Sequence, residues 1–298
     1  MSGGAAAAGP DLDRRLTPAT DRVAHVSLRG ALDRPAYSAG QAARVAVPLA
    51  DLMAAPAGRR DRQLLFGADV TVIDRHDGWS FVQAALDGYC GWIADPALGS
   101  ADAQITHRVV ARSTHLYAGP DMKRPDLCAL SMGARLSIGA VEGGFARLSD
   151  REAWVPAVHI GDRPAGDPGQ VALALLGTPY LWGGNSAAGI DCSGLAQAAL
   201  AACGLPCPGD SDLQRRALPA VTGIHRGDLL FWPGHVALAL SGDEMIHATA
   251  WRMSVIREPI ADAITRIAAQ GDGPFLDARR PDYPHPVPEG TGGAHPGR

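Results

Sequence analysis

The sequence has no long apolar run and few cysteines. No stretch of its 298 residues approaches the ~18 apolar residues that a membrane-spanning helix needs, so no membrane span is expected. The five cysteines are odd in number and scattered, which argues against a disulfide framework and favours a reducing compartment. The first ten residues carry no basic residue ahead of their alanine run and do not resemble a secretory signal. These features predict a cytoplasmic protein.

The sequence also has no excess of one charge. Its 27 basic and 31 acidic residues give a net charge of −4, and no cluster of Lys and Arg compensates locally. This balance argues against nucleic acid as a partner. Apolar residues make up 46 % of the chain, enough to fill cores, and the length suits two domains or three small all-β ones. The composition leaves the oligomeric state open.

The first third of the chain predicts an extension and then a small β domain. Residues 1–37 are polar and dotted with arginine, with a weak helical pattern at 21–28. Short apolar runs then alternate with turn residues, and Asp77-Gly78 and Asp87-Gly88 are typical of hairpin turns. The apolar runs cover residues 43–49, 64–66, 70–73, 79–82 and 89–93. This pattern predicts a barrel or sandwich of short strands.

A second copy of this domain follows the first. Gly67 and Trp79 correspond to Gly133 and Phe145 at a constant offset of 66 positions (133 − 67 and 145 − 79). Period-2 alternation in both copies puts one face of each strand inward. A repeat of this length indicates a duplicated domain rather than a solenoid, whose units are usually ~20–50 residues.

The last third of the chain has a different composition. A stretch rich in Gly and Pro at 161–169 precedes it, and residues 281–298, again rich in Pro and Gly, are expected to form a loose tail. Between them the pattern predicts an α+β domain. Its expected helices are 170–176 and 192–203, and its expected strands are 228–232, 235–240 and 244–250.

One cysteine lies where a helix is predicted to begin. Asp191 is a plausible N-cap, and Cys192 then occupies the first turn of a helix that stops at Gly204. Free amides and the positive end of the helix dipole favour thiolate, which predicts a pKa below the usual value of about 8.5. The same amides could hold an oxyanion. Cys192 is therefore a candidate nucleophile, with a small buried residue as the alternative.

A thiol nucleophile needs a base and a group that orients the base. Of the ten histidines, His235 and His247 belong to one predicted hairpin. A two-residue turn at Gly242-Asp243 would place the two imidazoles on opposite faces of the sheet. Pairing of the two side chains therefore requires a wider loop or a bulge.

Metal binding is the competing use of Cys and His. The chain has no CxxC or HExxH element, and Cys203 and Cys207 have no nearby pair of histidines to complete a zinc site. These two cysteines are interpreted as structural. Neither a metal nor another cofactor is expected.

Five short motifs of the last third occur in a recognisable order. They are Thr178-Pro179-Tyr180-Leu181-Trp182-Gly183-Gly184, Gly189-Ile190-Asp191-Cys192-Ser193-Gly194-Leu195, Gly227-Asp228-Leu229-Leu230-Phe231, Gly234-His235-Val236-Ala237 and Met245-Ile246-His247-Ala248. With these motifs the chain resembles the NlpC-type family of papain-like cysteine peptidases that cut bacterial cell-wall peptides. The resemblance implies that Cys192 is the nucleophile, His235 the base and later the acid, and His247 the orienting group.

The resemblance extends to further residues of the same motifs. Tyr180 matches a family tyrosine whose hydroxyl lies near the thiol and steadies the oxyanion, with core packing beside Trp182 as the alternative. Asp191 and Ser193 flank the thiol and are assigned to substrate binding.

The front half of the chain is similar to that of γ-D-glutamyl-L-diamino acid endopeptidases. In these enzymes the first of two bacterial SH3-like barrels closes one end of the cleft, so that only peptides with a free amino terminus fit. Asp210, Ser211 and Tyr89 match the positions that meet this amino end. Where the family often has a barrel glutamate this chain has Asp61, which is a possible replacement. Turn and strand roles remain the alternatives for Asp210 and Tyr89.

The sequence thus predicts two small all-β SH3-like barrels followed by an α+β papain-like peptidase domain. The expected boundaries are 1–37 for the extension, 38–101 and 102–162 for the barrels, 163–283 for the peptidase and 284–298 for the tail. The expected activity is hydrolysis of the γ-D-glutamyl-diamino acid bond in a short muropeptide with a free N-terminal L-Ala. A peptide-binding protein without turnover and an acyltransferase using the same thiol are the alternatives.

Overall fold

The computed structural model describes residues 12–283 and Val287. The predicted tail, 284–298, otherwise lies outside the described residues, as do the first eleven residues.

The predicted helix at 21–28 is wrong. Instead, β1 (Val23–His25) and β2 (Ala36–Ser38) form a parallel pair, and a single 3-10 turn, Val26–Leu28, follows β1. The apolar residues here are too few for a helical stripe, whereas strand pairing buries Ala24 completely.

The first β unit is one sheet of seven strands. Its strand order is β5-β4-β8-β7-β6-β3-β9. Asp77 and Gly78 both have positive φ, as a type I′ hairpin requires. The apolar run 43–49 is two strands instead of one, because the chain turns before Leu49 at Pro48, which has no amide hydrogen to donate. The strands are β3 (Gln41–Val45), β4 (Leu49–Met53), β5 (Arg60–Leu65), β6 (Asp69–His76), β7 (Trp79–Ala84), β8 (Cys90–Ala94) and β9 (Leu98–Gly99).

The second β unit repeats this strand order. Its sheets have the orders β12-β11-β16-β15-β14 and β13-β10-β17, so β13 and β14 together take the place of β6. The interruption at Ser137 divides what is a single sheet in the first unit. The strands are β10 (His107–Val109), β11 (Ser113–Tyr117), β12 (Asp126–Ser131), β13 (Arg135–Leu136), β14 (Ile138–Glu142), β15 (Phe145–Leu148), β16 (Trp154–Pro156) and β17 (Ile160–Gly161).

Gly67, which corresponds to Gly133 in the repeat, lies where the two β units contact each other. Gly67 has a φ of +77°, and a Cβ there would lie 2.0 Å from the carbonyl oxygen of Arg135. The amide of Arg135 in turn donates to the carbonyl of Phe66 over 2.9 Å. The backbones of the two units therefore touch at a point that only glycine allows.

The last unit is a six-stranded sheet with helices on both faces. Its strand order is β20-β25-β21-β22-β23-β24. One face packs Val236 and Ile246 against α1 and α2, and the other packs Ala237 and Met245 against α4. The elements are α1 (Pro168–Ala174), β18 (Asn185–Ser186), β19 (Gly189–Ile190), α2 (Cys192–Ala202), α3 (Ser211–Ala217), β20 (Ala220–Val221), β21 (Leu229–Trp232), β22 (His235–Ala239), β23 (Glu244–Thr249), β24 (Ser254–Pro259), α4 (Ile260–Gln270) and β25 (Asp277–Arg279).

The predicted helices and strands of this unit are close to α1, α2, β21, β22 and β23. The sequence pattern did not identify α3, α4, the short strands β18, β19 and β20, or the strands β24 and β25. None of the helices in the described ranges is long and apolar enough to cross a bilayer.

Candidate active site

Asp191 fixes the start of α2. Its Oδ1 accepts hydrogen bonds from the Gly194 amide (2.7 Å) and the Ser193 hydroxyl (3.1 Å). Its Oδ2 accepts from the amide of Gly183 (2.9 Å), in the loop that carries Trp182. Asp191 therefore caps the helix and ties it to that loop, with both oxygens engaged. The position of Cys192 in the first turn follows from this cap.

The thiol of Cys192 is almost buried at the helix terminus. The side chain is 9 % exposed and packs with Val236 of β22. Burial raises the pKa of the thiol to about 12, and the nearby charge of Asp191 adds to this rise. The backbone N–H groups of Val236, Ser193 and Cys192 itself act in the opposite direction. The predicted lowering of the thiol pKa by the helix terminus is therefore wrong for the resting protein, because desolvation outweighs the amides.

A chain of polar side chains begins at His235. Its Nε2 lies 2.8 Å from Nδ1 of His247, which is fully buried. Nε2 of His247 lies 2.8 Å from Oε1 of Glu258, but the N–H direction is poorly aligned, so the contact is a charge-dipole contact rather than a well-formed hydrogen bond. Arg266 of α4 closes the chain by an ion pair with Glu258.

The hairpin meets the requirement for a wider loop. Leu238 pairs with Ile246 and Ala239 with Met245, which leaves residues 240–243 as the connection. In this register His235 and His247 share a face, so their rings meet, with centroids 5.0 Å apart. The shared face is the one that packs on α4.

Cys192 packs on the other face of the sheet from the two histidines. It adjoins them at the end of β22, because the Val236 amide beside the thiol belongs to the peptide bond that follows His235. Burial, then the neighbouring His247 and Arg266, lower the pKa of His235 to about 3. At neutral pH the imidazole is therefore uncharged.

Tyr180 lies near the same thiol. It is half-buried and held by its backbone, which donates to the carbonyl of Met253 over 2.9 Å. Burial, then the proximity of Cys192 and Asp191, raise the pKa of its phenol. The hydroxyl is therefore protonated at all working pH values and makes no hydrogen bond within residues 12–283. It is a free donor beside the thiol.

The first β unit meets the peptidase unit at Tyr89 and Asp210. The Tyr89 hydroxyl donates to Oδ2 of Asp210 over 3.2 Å. Arg15, near the start of the described chain, donates to the same oxygen over 2.6 Å. Oδ1 of Asp210 has no hydrogen-bond partner in the described part of the chain, and the side chain is 32 % exposed. Ser211, the first residue of α3, follows Asp210 directly.

A second arginine of the N-terminal segment binds a second carboxylate. Arg14 makes two hydrogen bonds to Asp61, of 2.7 and 3.1 Å, and the Asp61 side chain is 5 % exposed. The backbone of Asp61 lies against Gly183, where a Cβ would come within 2.6 Å of the Asp61 carbonyl oxygen. These arginine contacts were not predictable from local patterns, because they join positions 47 and 195 residues apart.

Beneath this site a buried arginine joins the two units. Arg62 of β5 binds Asp87 of the first β unit and Gln197 of α2. Its guanidinium also lies 5.0 Å from the centre of the Tyr89 ring. Gln197 in turn donates to Asp87 over 2.8 Å. The Arg62 cluster, meaning Arg62, Asp87 and Gln197, thus sets the position of the first β unit relative to α2.

Three further features of the described residues concern metal binding, the cysteines and a cavity. No group of three or more His, Cys, Asp or Glu side chains between residues 12 and 283 could hold a metal ion. All five cysteines are free thiols. A cavity of about 710 Å³ lies between the two β units and the back of α2, lined by residues such as Leu86, Arg108, Met132 and Ala201. None of the candidate catalytic residues lines it.

The fold and the site together define a peptidase-like α+β domain preceded by a bacterial SH3-type domain. A family model for the bacterial dipeptidyl-peptidase Sh3 domain matches residues 52–98, and the NlpC/P60 family model matches residues 177–267. The chain belongs to the NlpC/P60 family.

Named relatives agree with this assignment. The chain is 30 % identical to a gamma-D-glutamyl-L-lysine dipeptidyl-peptidase of Bacillus subtilis, over 62 % of this chain and 71 % of the relative. It is 27 % identical to the protein of the same name in Bacillus cereus, over 67 % and 70 %. A crystal structure of an NlpC/P60 family protein from Bacillus cereus shares the fold, with a TM-score of 0.70 at 24 % identity, covering 83 % of this chain and 100 % of that one.

Proposed function

We propose that this protein is a cysteine peptidase acting on short peptidoglycan peptides. It hydrolyses the γ-D-glutamyl-diamino acid bond of a muropeptide whose N-terminal L-Ala is free. The observation that carries the proposal is the position of Cys192 at the start of α2, where its thiol lies beside the backbone amide of Val236, the residue that follows His235 of the His235–His247 pair. The bond is suggested by the name of the Bacillus relatives, gamma-D-glutamyl-L-lysine dipeptidyl-peptidase.

The reaction begins with transfer of the thiol proton to His235 as Sγ of Cys192 attacks the carbonyl carbon. The amides of Cys192 and Ser193, with the Tyr180 hydroxyl, are placed to donate to the resulting oxyanion. The C–N bond then breaks, and the leaving amine takes the proton from His235. Water, deprotonated by His235, attacks the thioester carbonyl carbon; the C–S bond breaks, the L-Ala-D-Glu dipeptide is released, and the proton on His235 returns to Sγ of Cys192.

The uncharged resting pair suits this order of events. With the thiol pKa raised and the imidazole pKa lowered, proton transfer has to be coupled to attack on the bound substrate. The bound peptide also supplies the nitrogen of the scissile amide, which accepts the proton from His235 when the C–N bond breaks. The thiol is thereby protected from reaction with other electrophiles while the cleft is empty.

The amino end of the substrate is assigned to Asp210. Its Oδ2 is held by Arg15 and Tyr89, so Oδ1 is the oxygen available to a substrate ammonium. Such a charge-assisted contact in a partly desolvated site favours a charged amine over a blocked one. In the proposal the first SH3-like barrel, which carries Tyr89, closes this end of the cleft.

A peptide-binding protein without turnover is the second candidate, and one observation favours it. Burial keeps the Cys192 thiol protonated, which is the state expected of a cysteine that does not act as a nucleophile. This candidate predicts equal peptide affinity in the wild type and in Cys192→Ala, and no products from either.

Incubation with defined peptides tests the proposal. L-Ala-γ-D-Glu-L-Lys and its diaminopimelate counterpart are incubated with the full chain, and products are identified by mass spectrometry. We expect free L-Ala-D-Glu from the wild type and none from Cys192→Ala. The matched control is Cys203→Ala, a half-buried thiol at the far end of α2, which should retain activity. Cleavage by Cys192→Ala at the wild-type rate would remove the thiol from the mechanism.

A further inference from the structure

Glu258 contacts His247 on the side away from His235, and none of the sequence motifs includes it. It lies on β24, paired with Met245 of β23, and its side chain is 11 % exposed. Its two oxygens contact Nε2 of His247 and the guanidinium of Arg266. A half-buried acid in contact with the fully buried ring of His247 is more than a packing residue requires.

Arg266 binds the same carboxylate and shares Oε1 of Glu258 with His247. It reaches both oxygens of Glu258 and packs over the ring of Trp251, with 4.1 Å from the guanidinium to the ring centre. Burial acts to raise the pKa of Glu258, but the contacts from His247 and Arg266 together hold it below its usual value. Glu258 is therefore ionised at neutral pH and can only accept hydrogen bonds.

An acceptor at this place determines where the ring protons lie. Facing a carboxylate, Nε2 of His247 carries its proton, which leaves Nδ1 of His247 as an acceptor. That Nδ1 then takes a hydrogen bond from Nε2–H of His235 across 2.8 Å. The proton of neutral His235 is thus on Nε2, and its Nδ1 is the nitrogen free to take the proton of Cys192.

We propose that Glu258 is a positioning residue that fixes the tautomer of His247 and, through it, that of His235. The inference rests on the proposed function for its catalytic consequence, but the tautomers exist whether or not a substrate is cleaved. In other proteins, an acid that bonds to the second ring nitrogen of a functional histidine fixes the tautomer of that ring. Glu258 contacts the orienting histidine instead, so it lies one residue further from the reacting atoms.

Glu258→Gln is the decisive variant. The amide carries no charge and has a single acceptor oxygen; with that oxygen at the position of Oε2, accepting from Nε of Arg266, its NH2 faces His247. Nε2 of His247 becomes the acceptor, and both ring protons move to the Nδ1 atoms, so that His235 presents N–H rather than a lone pair to the thiol. We expect kcat to fall by about 10–100-fold, the range for groups that orient a functional histidine through a second contact.

Glu244→Gln is the matched control. Glu244 lies on the adjacent strand β23 and also pairs with an arginine, Arg257, but it does not contact either histidine. It should keep the wild-type kcat. Glu258→Asp retains the charge and should recover part of the activity lost in Glu258→Gln.

Histidine tautomers are read directly from two-bond ¹H–¹⁵N correlation spectra of the full chain labelled in its histidine rings. His235→Ala and His247→Ala assign the signals. We expect both rings of the wild type to carry the proton on Nε2 and to move to Nδ1 in Glu258→Gln, with no change in Glu244→Gln.

Several outcomes overturn the inference. A proton on Nδ1 of His247 in the wild type does so even if every variant fails to fold. Unchanged tautomers together with an unchanged kcat in folded Glu258→Gln do so as well. Absence of cleavage by the wild type would instead refute the proposed function and leave the tautomer result standing.

Discussion

Two opposing effects act on the side chain of Cys192. The amides of the helix start favour thiolate, whereas burial and Asp191 favour the neutral thiol, and burial dominates. The motif shows the position of the thiol in the helix, but desolvation depends on what covers the sulfur. That cover comes from β22, more than forty positions further along the chain.

The pH dependence of alkylation follows from this balance. Because the pKa of Cys192 is raised to about 12, its thiolate fraction grows as pH rises through the alkaline range. In the protein without substrate, labelling of Cys192 by iodoacetamide should be slow at pH 7 and should increase steadily above pH 8.5. Peptide mapping after timed labelling gives the rate at this residue. A plateau below pH 7 would show a stable thiolate-imidazolium pair and contradict the assignment.

The negative charge of Asp210 is a second single-residue property with a testable effect. Asp210→Asn removes the charge that Oδ1 offers and retains the shape of the side chain. KM for L-Ala-γ-D-Glu-L-Lys should rise by about tenfold or more, since a charge-assisted bond of this type contributes ~1.5–3 kcal/mol. The N-acetylated peptide, a poor substrate for the wild type, should be affected much less. An equal rise of KM for both peptides would separate Asp210 from amine recognition.

Among the elements, α2 carries the site through its cap. Asp191 accepts hydrogen bonds from Gly194 and Gly183, so one carboxylate holds both the helix start and the neighbouring loop. The order of Gly-Ile-Asp-Cys-Ser-Gly in the sequence was sufficient to predict the cap and the helix. The link to Gly183 was not visible from local spacing.

Loss of this cap should have a measurable cost. Asp191→Ala is expected to lower the free energy of unfolding by about 1–2 kcal/mol, the usual range for an N-cap. Urea unfolding followed by circular dichroism measures it. Asp262→Ala is the control, since Asp262 is exposed in the first turn of α4 and α4 has no side-chain cap. Equal effects of the two substitutions would mean that the Asp191 cap contributes nothing specific.

Local patterns identified the strands β3 to β8 and β21 to β23 and two of the four helices in the described part of the chain. Alternation and the Asp77-Gly78 turn predicted the β6–β7 hairpin, and the same order of strands follows in the second unit. The helix expected at 21–28 was wrong because a few apolar residues fit a strand pair as well as a helix. Glu258 and the arginine contacts of the N-terminal segment were not predicted, because each depends on a partner brought near only by the fold.

For the molecule as a whole, the central feature is the attachment of the first β unit to α2. The Arg62 cluster lies next to Tyr89, so the contact between Tyr89 and Asp210 depends on a buried ion pair that touches neither Cys192 nor the histidines. Arg62 and Asp87 are almost completely buried, with side chains 5 % and 2 % exposed. A pair of this kind contributes less to stability than to specifying one arrangement.

Arg62→Met leaves Asp87 buried without its cation. The free energy of unfolding should fall by about 3–5 kcal/mol, as for other broken buried pairs. Arg59→Met is the control, because Arg59 is 74 % exposed and lies 3.7 Å from Asp61. Chemical unfolding of both variants and of the wild type gives the comparison. A loss below 1 kcal/mol in Arg62→Met would contradict the structural role of the cluster.

The covalent intermediate tests the central claim most directly. The wild type is mixed with L-Ala-γ-D-Glu-L-Lys, quenched in acid within its first turnovers, and analysed by intact-mass and peptide-mapping mass spectrometry. We predict an L-Ala-D-Glu acyl group on the peptide that contains Cys192, absent from Cys192→Ala. Release of the dipeptide by both proteins, with no acyl group on that peptide at any time, would contradict the account.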